Sequence, residues 1–120
     1  MYKKKDLGKA GESLACKYLE KNDYNIIEKN FSCLQGEIDI IAYDIKSKEL
    51  VFFEVKTRTN FYYGFPSDSV NKAKQRHIFK SVEYYLYSRN LEDVFVRVDV
   101  IEIVVLGREY KLNHLVNVVG

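Results

Sequence analysis

The sequence predicts an α/β fold in which a mixed five-stranded sheet is flanked by two helices. Two segments repeat apolar residues at helical spacing, and five segments rich in β-forming residues lie between or after them. Their order, α-β-β-β-α-β-β, is typical of a mixed sheet with helices on its faces. The 120 residues fit one domain and contain no Pro/Gly-rich linker or repeat, so we expect a single domain over residues 1–120.

The first helix is predicted over about residues 6–22, with Asp6 at the N-cap position. Its apolar residues recur at helical spacing: Leu7, Ala10, Leu14, Tyr18 and Leu19. Glu12 lies at the edge of this apolar stripe. Its side chain can therefore lean on the sheet while the carboxylate stays in a polar setting.

Three strands are predicted next, separated by polar turns at 32–36 and 44–48. Their ranges are 24–31, 37–43 and 49–57. Because side chains alternate between the two faces of a strand, the second strand divides into two sets: Ile38 and Ile40 on one face, and Glu37, Asp39 and Ile41 on the other. In the third strand Glu54 and Lys56 share a face.

An aromatic loop at 61–65 separates the third strand from the second helix. Its rings would either stack on unpaired bases or close the core beside them. The second helix is predicted to begin at Ser67 or Ser69 and to run to about Asn90, with an apolar stripe on one side. Strands at 94–106 and 111–119 complete the fold.

The net charge of +2 is too small to indicate a nucleic-acid partner by itself. Lysines and arginines crowd residues 3–9 and 72–80, where they either neutralise phosphates or form solvated helix faces. Cys16 and Cys33 lack the spacing of a zinc or redox motif, which favours reduced thiols in a cytoplasmic protein. No apolar run approaches the roughly 20 residues of a membrane span, so no membrane partner is expected.

Charged residues inside otherwise apolar strands indicate a chemical site. Asp39 and Glu54 stand on neighbouring predicted strands, which lie about 4.8 Å apart, so two carboxylates could converge on one Mg²⁺ ion. Lys56 shares the face of Glu54 and could hold an attacking water or offset phosphate charge. Glu12 could add a ligand from the helix. An E-x-K pattern on a strand is also typical of an exposed ion pair, which is the alternative.

An ordered set of motifs runs through the chain: GKAGE at 8–12, GEID at 36–39, FEVKTR at 53–58 and RVDVI at 97–101. With Gly64, Pro66, Val70, Lys74 and Gln75 between them, this set resembles the YraN-type family of uncharacterised bacterial proteins. That family belongs to the restriction-endonuclease-like, PD-(D/E)xK superfamily. The Glu…Asp…Glu-x-Lys core is also similar to that of archaeal Holliday-junction resolvases. One departure is Ile38, which stands where the superfamily motif has proline.

The resemblance implies a restriction-endonuclease-like core that uses Mg²⁺ or Mn²⁺. Asp39 and Glu54 would be the metal ligands, Lys56 the catalytic lysine, and Glu12 the helix-borne acid. Weaker candidates for nucleic-acid contact lie around them: Arg58, Lys74, Gln75 and Arg76. Among these, an arginine can bind a phosphate through two parallel hydrogen bonds.

Four other polar residues have structural readings beside catalytic ones. Glu37 is either a supporting acid or a solvated residue of the turn. Asp99 stands two residues after Arg97 on the same face, which favours an ion pair over a direct catalytic role. His77 is expected on the surface of the second helix, and His114 is expected to be structural.

The leading hypothesis is a metal-dependent endonuclease acting on structured or branched DNA, with DNA favoured over RNA. Junction-cutting relatives are dimers, so a homodimer is an open expectation. One alternative is a module of the same fold that binds nucleic acid without cleaving it, and another is a protein-interaction domain. The first predicts metal binding that depends on Asp39 and Glu54, the second predicts salt-sensitive binding alone, and the third predicts neither.

Overall fold

Two helices and five strands follow one another in the predicted order, in a computed structural model that describes residues 4–59 and 72–118, with side chains at 6–59 and 73–118. The helices are α1 (Lys4–Lys21) and α2 (Lys72–Ser88). The strands are β1 (Tyr24–Cys33), β2 (Gly36–Asp44), β3 (Glu49–Arg58), β4 (Val96–Leu106) and β5 (Glu109–Leu115). The aromatic loop at 61–65 and the helix caps Ser67 and Ser69, all predicted from sequence, lie outside the described residues.

The five strands form one mixed sheet in the order β1-β2-β3-β4-β5. Neighbouring strands are antiparallel except for β3 and β4, which run parallel. A parallel pair needs a long crossover connection, and α2 lies in the segment that joins these two strands. The mixed α/β sheet predicted from the element order is therefore confirmed.

The two helices pack on opposite faces of the sheet. Ala15 and Leu19 of α1 lie in a buried cluster with Phe53 of β3. Val82 of α2 lies in a second buried cluster with Phe52. Because Phe52 and Phe53 are consecutive, they point to opposite faces, and the core consists of one apolar layer on each side of the sheet.

Alternation in β2 breaks at Asp39. Ile38 and Ile41 pack on the α2 side, whereas Ile40 packs on the α1 side. The prediction that Ile38 and Ile40 share a face is therefore wrong. The physical reason is that strand pairing between β2 and β3 stops at Ile40, so the chain is free to twist by one position at Asp39.

The turn between β1 and β2 is shorter than predicted, because Cys33 pairs with Gly36 and only two residues connect them. Gly36 has a φ of 150°, which favours glycine, and a Cβ there would lie 3.1 Å from Ser81 Oγ on α2. The described part of β5 ends early, at Leu115, because Asn117 takes a φ of 55° and donates its N–H to the Asp99 side chain.

Helix α1 approaches β3 closely at Gly11. A Cβ at this position would collide with Oγ1 of Thr57. The glycine thus lets the helix lie directly on the strand that carries the E-x-K motif. Neither α1 nor α2, as described, is long and apolar enough to cross a membrane.

Candidate functional site

Strands β2 and β3 separate at Asp39, and the carboxylate of this residue lies in the opening. The backbone pairing runs from Asp44 and Glu49 to Ile40 and Phe53 and goes no further. Beyond that point Asp39 Oδ2 accepts a hydrogen bond from the Val55 N–H at 2.7 Å. A side-chain oxygen thereby replaces the backbone carbonyl that a continuous ladder would supply. We call this point, where β2 and β3 separate, the fork, and the hydrogen bond fixes Asp39 there.

The surroundings of Asp39 disfavour its negative charge. Burial raises the pKa of Asp39 to about 6, and the charges of Glu12 and Glu54 add to this shift. The Val55 N–H and the charge of Lys56 oppose it. A carboxylate in this setting gains from a nearby cation, since an opposite charge favours the ionised form.

Glu54 and Lys56 project from β3 on the α2 side, as the predicted alternation requires. Lys56 Nζ lies 2.9 Å from Glu54 Oε1, and Lys74 Nζ of α2 lies 3.5 Å from the same oxygen. The other oxygen, Glu54 Oε2, is buried and has no hydrogen-bond partner among the described residues. Buried polar atoms are rarely left unsatisfied, and an ion or water is a common explanation.

The two lysines that share Glu54 differ in their proton affinity. The contact with Lys56 lowers the pKa of Lys74, and burial adds to this effect. Burial also lowers the pKa of Lys56, but its hydrogen bonds with Lys74 and Glu54 outweigh that effect and raise it overall. The two ammonium groups therefore influence each other, because both contact the same carboxylate oxygen.

Glu12 reaches the same region from α1, on the other side of the sheet. With its amide nitrogen turned toward α1, Asn30 donates to the two Glu12 carboxylate oxygens at 3.1 and 3.3 Å. In the β1–β2 register Lys29 pairs with Ile40, and Phe31 pairs with Ile38. Asn30 therefore lies across from Asp39. Asn30 thus connects Glu12 to the fork.

Asp39 and Glu54 fit a divalent ion that keeps much of its water. No three carboxylate, histidine or cysteine side chains converge as metal ligands within the parts of the chain that the structure describes. Mg²⁺ commonly takes one or two protein carboxylates and completes its octahedron with water or substrate phosphate. The unsatisfied Oε2 of Glu54 and the desolvated carboxylate of Asp39 match that donor set.

Sequence reasoning missed Glu102, which is almost fully buried beside the E-x-K strand. Glu102 pairs with Lys56 in the parallel β3–β4 register and is 1% exposed. Its Oε2 lies 4.0 Å from Arg58 Nε. The signal that could have found it is the same as for Asp39, since Glu102 stands alone between isoleucines in an apolar strand. A buried carboxylate requires partners, and the Arg58 guanidinium is a cation close enough to be one of them.

The remaining polar residues singled out from sequence lie on α2 and β2. Gln75 is half-buried, Arg76 is exposed, and His77 is exposed as expected. Lys74, a predicted nucleic-acid contact, lies within the Glu54 cluster. Glu37 is exposed beside the β1–β2 turn, which agrees with its solvated reading.

A second charged cluster lies toward the opposite end of the strands, on the α1 side. Asp99 is fully buried and accepts hydrogen bonds from Arg97 Nε at 2.9 Å and from the Asn117 N–H at 2.9 Å. His114 Nε2 lies 2.7 Å from Asp99, and its Nδ1 lies 2.8 Å from the Tyr18 hydroxyl. Arg97 also donates to residues of three further strands: Tyr24, Asp44 and Glu49.

This second cluster is structural. Burial raises the pKa of Asp99, but hydrogen bonds from His114, Arg97 and the Asn117 N–H outweigh that effect and hold it below the usual value. A fully paired buried carboxylate has no lone pair open to a ligand. The predicted Arg97–Asp99 ion pair is confirmed, and His114 is one of its hydrogen-bonding partners.

Comparison with known proteins identifies the family. The family model described as "Uncharacterised protein family UPF0102" matches residues 11–103. A UPF0102 protein of Clostridium perfringens is 45% identical over 113 residues, which cover 92% of this chain and 91% of the relative. A UPF0102 protein of Caldanaerobacter subterraneus is 42% identical, over 95% of this chain and 94% of the relative. One of Geobacter metallireducens is 46% identical, over 94% of this chain and 91% of the relative. The YraN-type resemblance is thus confirmed: the chain belongs to the uncharacterised protein family UPF0102.

Proposed function

We propose that this protein is a metal-dependent endonuclease that hydrolyses phosphodiester bonds in nucleic acid, with Asp39 and Glu54 holding Mg²⁺ or Mn²⁺. The observation that carries the proposal is the fork between β2 and β3. There the desolvated carboxylate of Asp39 lies near enough to Glu54 to sense its charge, and Glu54 has one oxygen without a hydrogen-bond partner among the described residues. A carboxyl group with a perturbed pKa beside specific charged partners is typical of functional sites.

The ion, when bound, would polarise a phosphoryl oxygen and make a coordinated water more acidic. Lys56 is already charged and one hydrogen-bond length from Glu54. From that position its ammonium can donate to an attacking water or to a phosphate oxygen on which charge develops. Arg58, which lies 4.0 Å from Glu102, would orient the neighbouring phosphate.

Structured or branched DNA is the proposed substrate, in preference to RNA. This choice rests on the resemblance of the Glu12…Asp39…Glu54-x-Lys56 core to archaeal Holliday-junction resolvases. A homodimer and a cytoplasmic location are part of the same proposal. A dimer would bring two forks to one branched substrate, because cyclic symmetry repeats each site once per subunit.

The test combines metal binding with cleavage. Calorimetric titration with Mn²⁺ should give binding by the wild type and none by Asp39→Asn or Glu54→Gln. Glu83→Gln, at an exposed position on α2, removes one carboxylate elsewhere and should bind normally. Labelled branched, duplex and single-stranded DNA are then incubated with each variant. Equal Mn²⁺ affinity in all four proteins would refute the assignment of the ligands.

A second candidate function is nucleic-acid binding without cleavage. The observation in its favour is that Lys56 and Lys74 already neutralise Glu54 Oε1, so the cluster is a closed ion pair as it stands. This alternative predicts salt-sensitive DNA binding with no metal-dependent product. Absence of both metal binding and DNA binding would instead favour a protein-interaction domain.

A further inference from the structure

A cleft of about 330 Å³ lies between α1 and β1, next to the fork, and we call it the α1–β1 cleft. One wall is a stripe of α1 residues at helical spacing, Lys9, Glu12, Cys16 and Glu20, with Lys17 beside it. Lys29 and Asn30 of β1 form the other wall. Cys16 is only 7% exposed, so the charged side chains surround a buried residue at the base of the cleft.

Among the described side chains, no direct ion pair engages the three lysines of this cleft. Lys9, Lys17 and Lys29 are exposed, and none of them lies within 4.0 Å of a carboxylate oxygen in the described side chains. Three lysines against the two carboxylates, Glu12 and Glu20, leave a formal charge of +1 in the cleft. Glu12 is occupied by Asn30. Lys56 and Lys74 differ, because both contact Glu54.

The cleft lies next to the fork on the α1 side of the sheet. Asn30 lies across from Asp39 in the β1–β2 ladder and also contacts Glu12, which lines the cleft. A nucleic-acid strand held at Asp39 would therefore leave the fork beside the Lys17 and Lys29 ammonium groups. Cations spaced along the exit of a strand are the usual means of holding successive phosphates.

We propose that the α1–β1 cleft binds the phosphate backbone of a single nucleic-acid strand next to the bond at the fork. That the bound strand lies next to a cleaved bond rests on the proposed function, but binding of the strand by the α1–β1 cleft does not. The cleft volume is near the lower end for ligand pockets, which is small for two paired strands. The cleft therefore fits one backbone and not a paired helix.

The test measures how salt affects binding of a fluorescein-labelled single strand of about 12 nucleotides, a typical site size. Fluorescence anisotropy is recorded in EDTA, so neither metal binding nor cleavage contributes. The double variant Lys17→Gln and Lys29→Gln is compared with Arg108→Gln and Lys111→Gln. The second pair removes the same charge at exposed positions in the β4–β5 hairpin, across the sheet from β1.

We expect the slope of log Kd against log salt to fall by about 1.4 in the cleft variant, since each lost single-strand contact contributes about 0.7. The control pair should keep the wild-type slope. Equal losses in both variants, an unchanged slope in both, or no binding by the wild type would each overturn the proposal. If the slope falls only in the cleft variant but no metal-dependent cleavage occurs, the proposed nuclease activity fails and the binding cleft stands.

Discussion

Replacing Asp39 by asparagine should stabilise the folded protein at neutral and alkaline pH. The amide has nearly the size of the carboxyl group, and its Oδ1 can still accept the hydrogen bond that the Val55 N–H gives at 2.7 Å. The substitution therefore keeps the geometry of the fork and removes only a charge that burial, Glu12 and Glu54 make unfavourable.

The magnitude follows from the pKa of Asp39, which rises from 3.8 to about 6 on folding. Between these values the folded state keeps a proton that the unfolded state has released, so the wild type loses stability as the pH rises through this window. A difference of about 2 pH units at about 1.4 kcal/mol per unit gives about 3 kcal/mol. This value is an upper bound, because the side chain is partly exposed to water.

Urea unfolding followed by circular dichroism at pH 4, 6 and 8, in chelated buffer, measures the effect. The free energy of unfolding of Asp39→Asn should exceed that of the wild type most at pH 8 and least at pH 4. Asp93→Asn, at an exposed turn position, should differ from the wild type by less than about 0.5 kcal/mol. An Asp39→Asn variant that is less stable than the wild type at pH 8 would refute the reasoning.

Three further outcomes can be measured. Gly11→Ala should lower the free energy of unfolding by about 1–3 kcal/mol, because its Cβ collides with Thr57 Oγ1, and adding Thr57→Ala should recover part of the loss; no recovery would contradict the contact. Asp99→Ala should cost about 3–5 kcal/mol at pH 7, since it takes the acceptor away from Arg97 Nε and from the Asn117 N–H. The lowered pKa of Asp99 stabilises the fold only above its unfolded pKa, so the cost should shrink below about pH 4, and a pH-independent cost would contradict this. Lys56→Met should keep Mn²⁺ affinity and abolish cleavage, and full cleavage by this variant would remove Lys56 from the mechanism.

The element order and the β3 faces could be predicted because they depend on local patterns. Apolar spacing and strand alternation are properties of a few consecutive residues, and Glu54 and Lys56 lie on the expected face. The two metal-ligand candidates were found because a carboxylate in an apolar strand is anomalous. Glu102, a buried carboxylate between two isoleucines of β4, is anomalous in the same way.

The remaining features depend on contacts between distant segments. Alternation assumes an unbroken ladder, so it could not predict the change of phase at Asp39, where β3 leaves β2. The sequence alone offered Lys74 as a phosphate contact, but its distance to Glu54 is set by how α2 packs on the sheet. Likewise, the pairing of Arg97 with Asp44 and Glu49 joins three strands and has no signature in any one of them.

The bond from the Val55 N–H to Asp39 makes one backbone amide a spectroscopic sensor of the fork. An amide proton held by a carboxylate should change its chemical shift when that carboxylate gains a proton or a metal ion. In a ¹⁵N-labelled sample, the Val55 cross-peak would therefore titrate with Asp39 and move again on Mg²⁺ addition. The fold thus carries an internal reporter that needs no attached dye and reads one residue of the site directly.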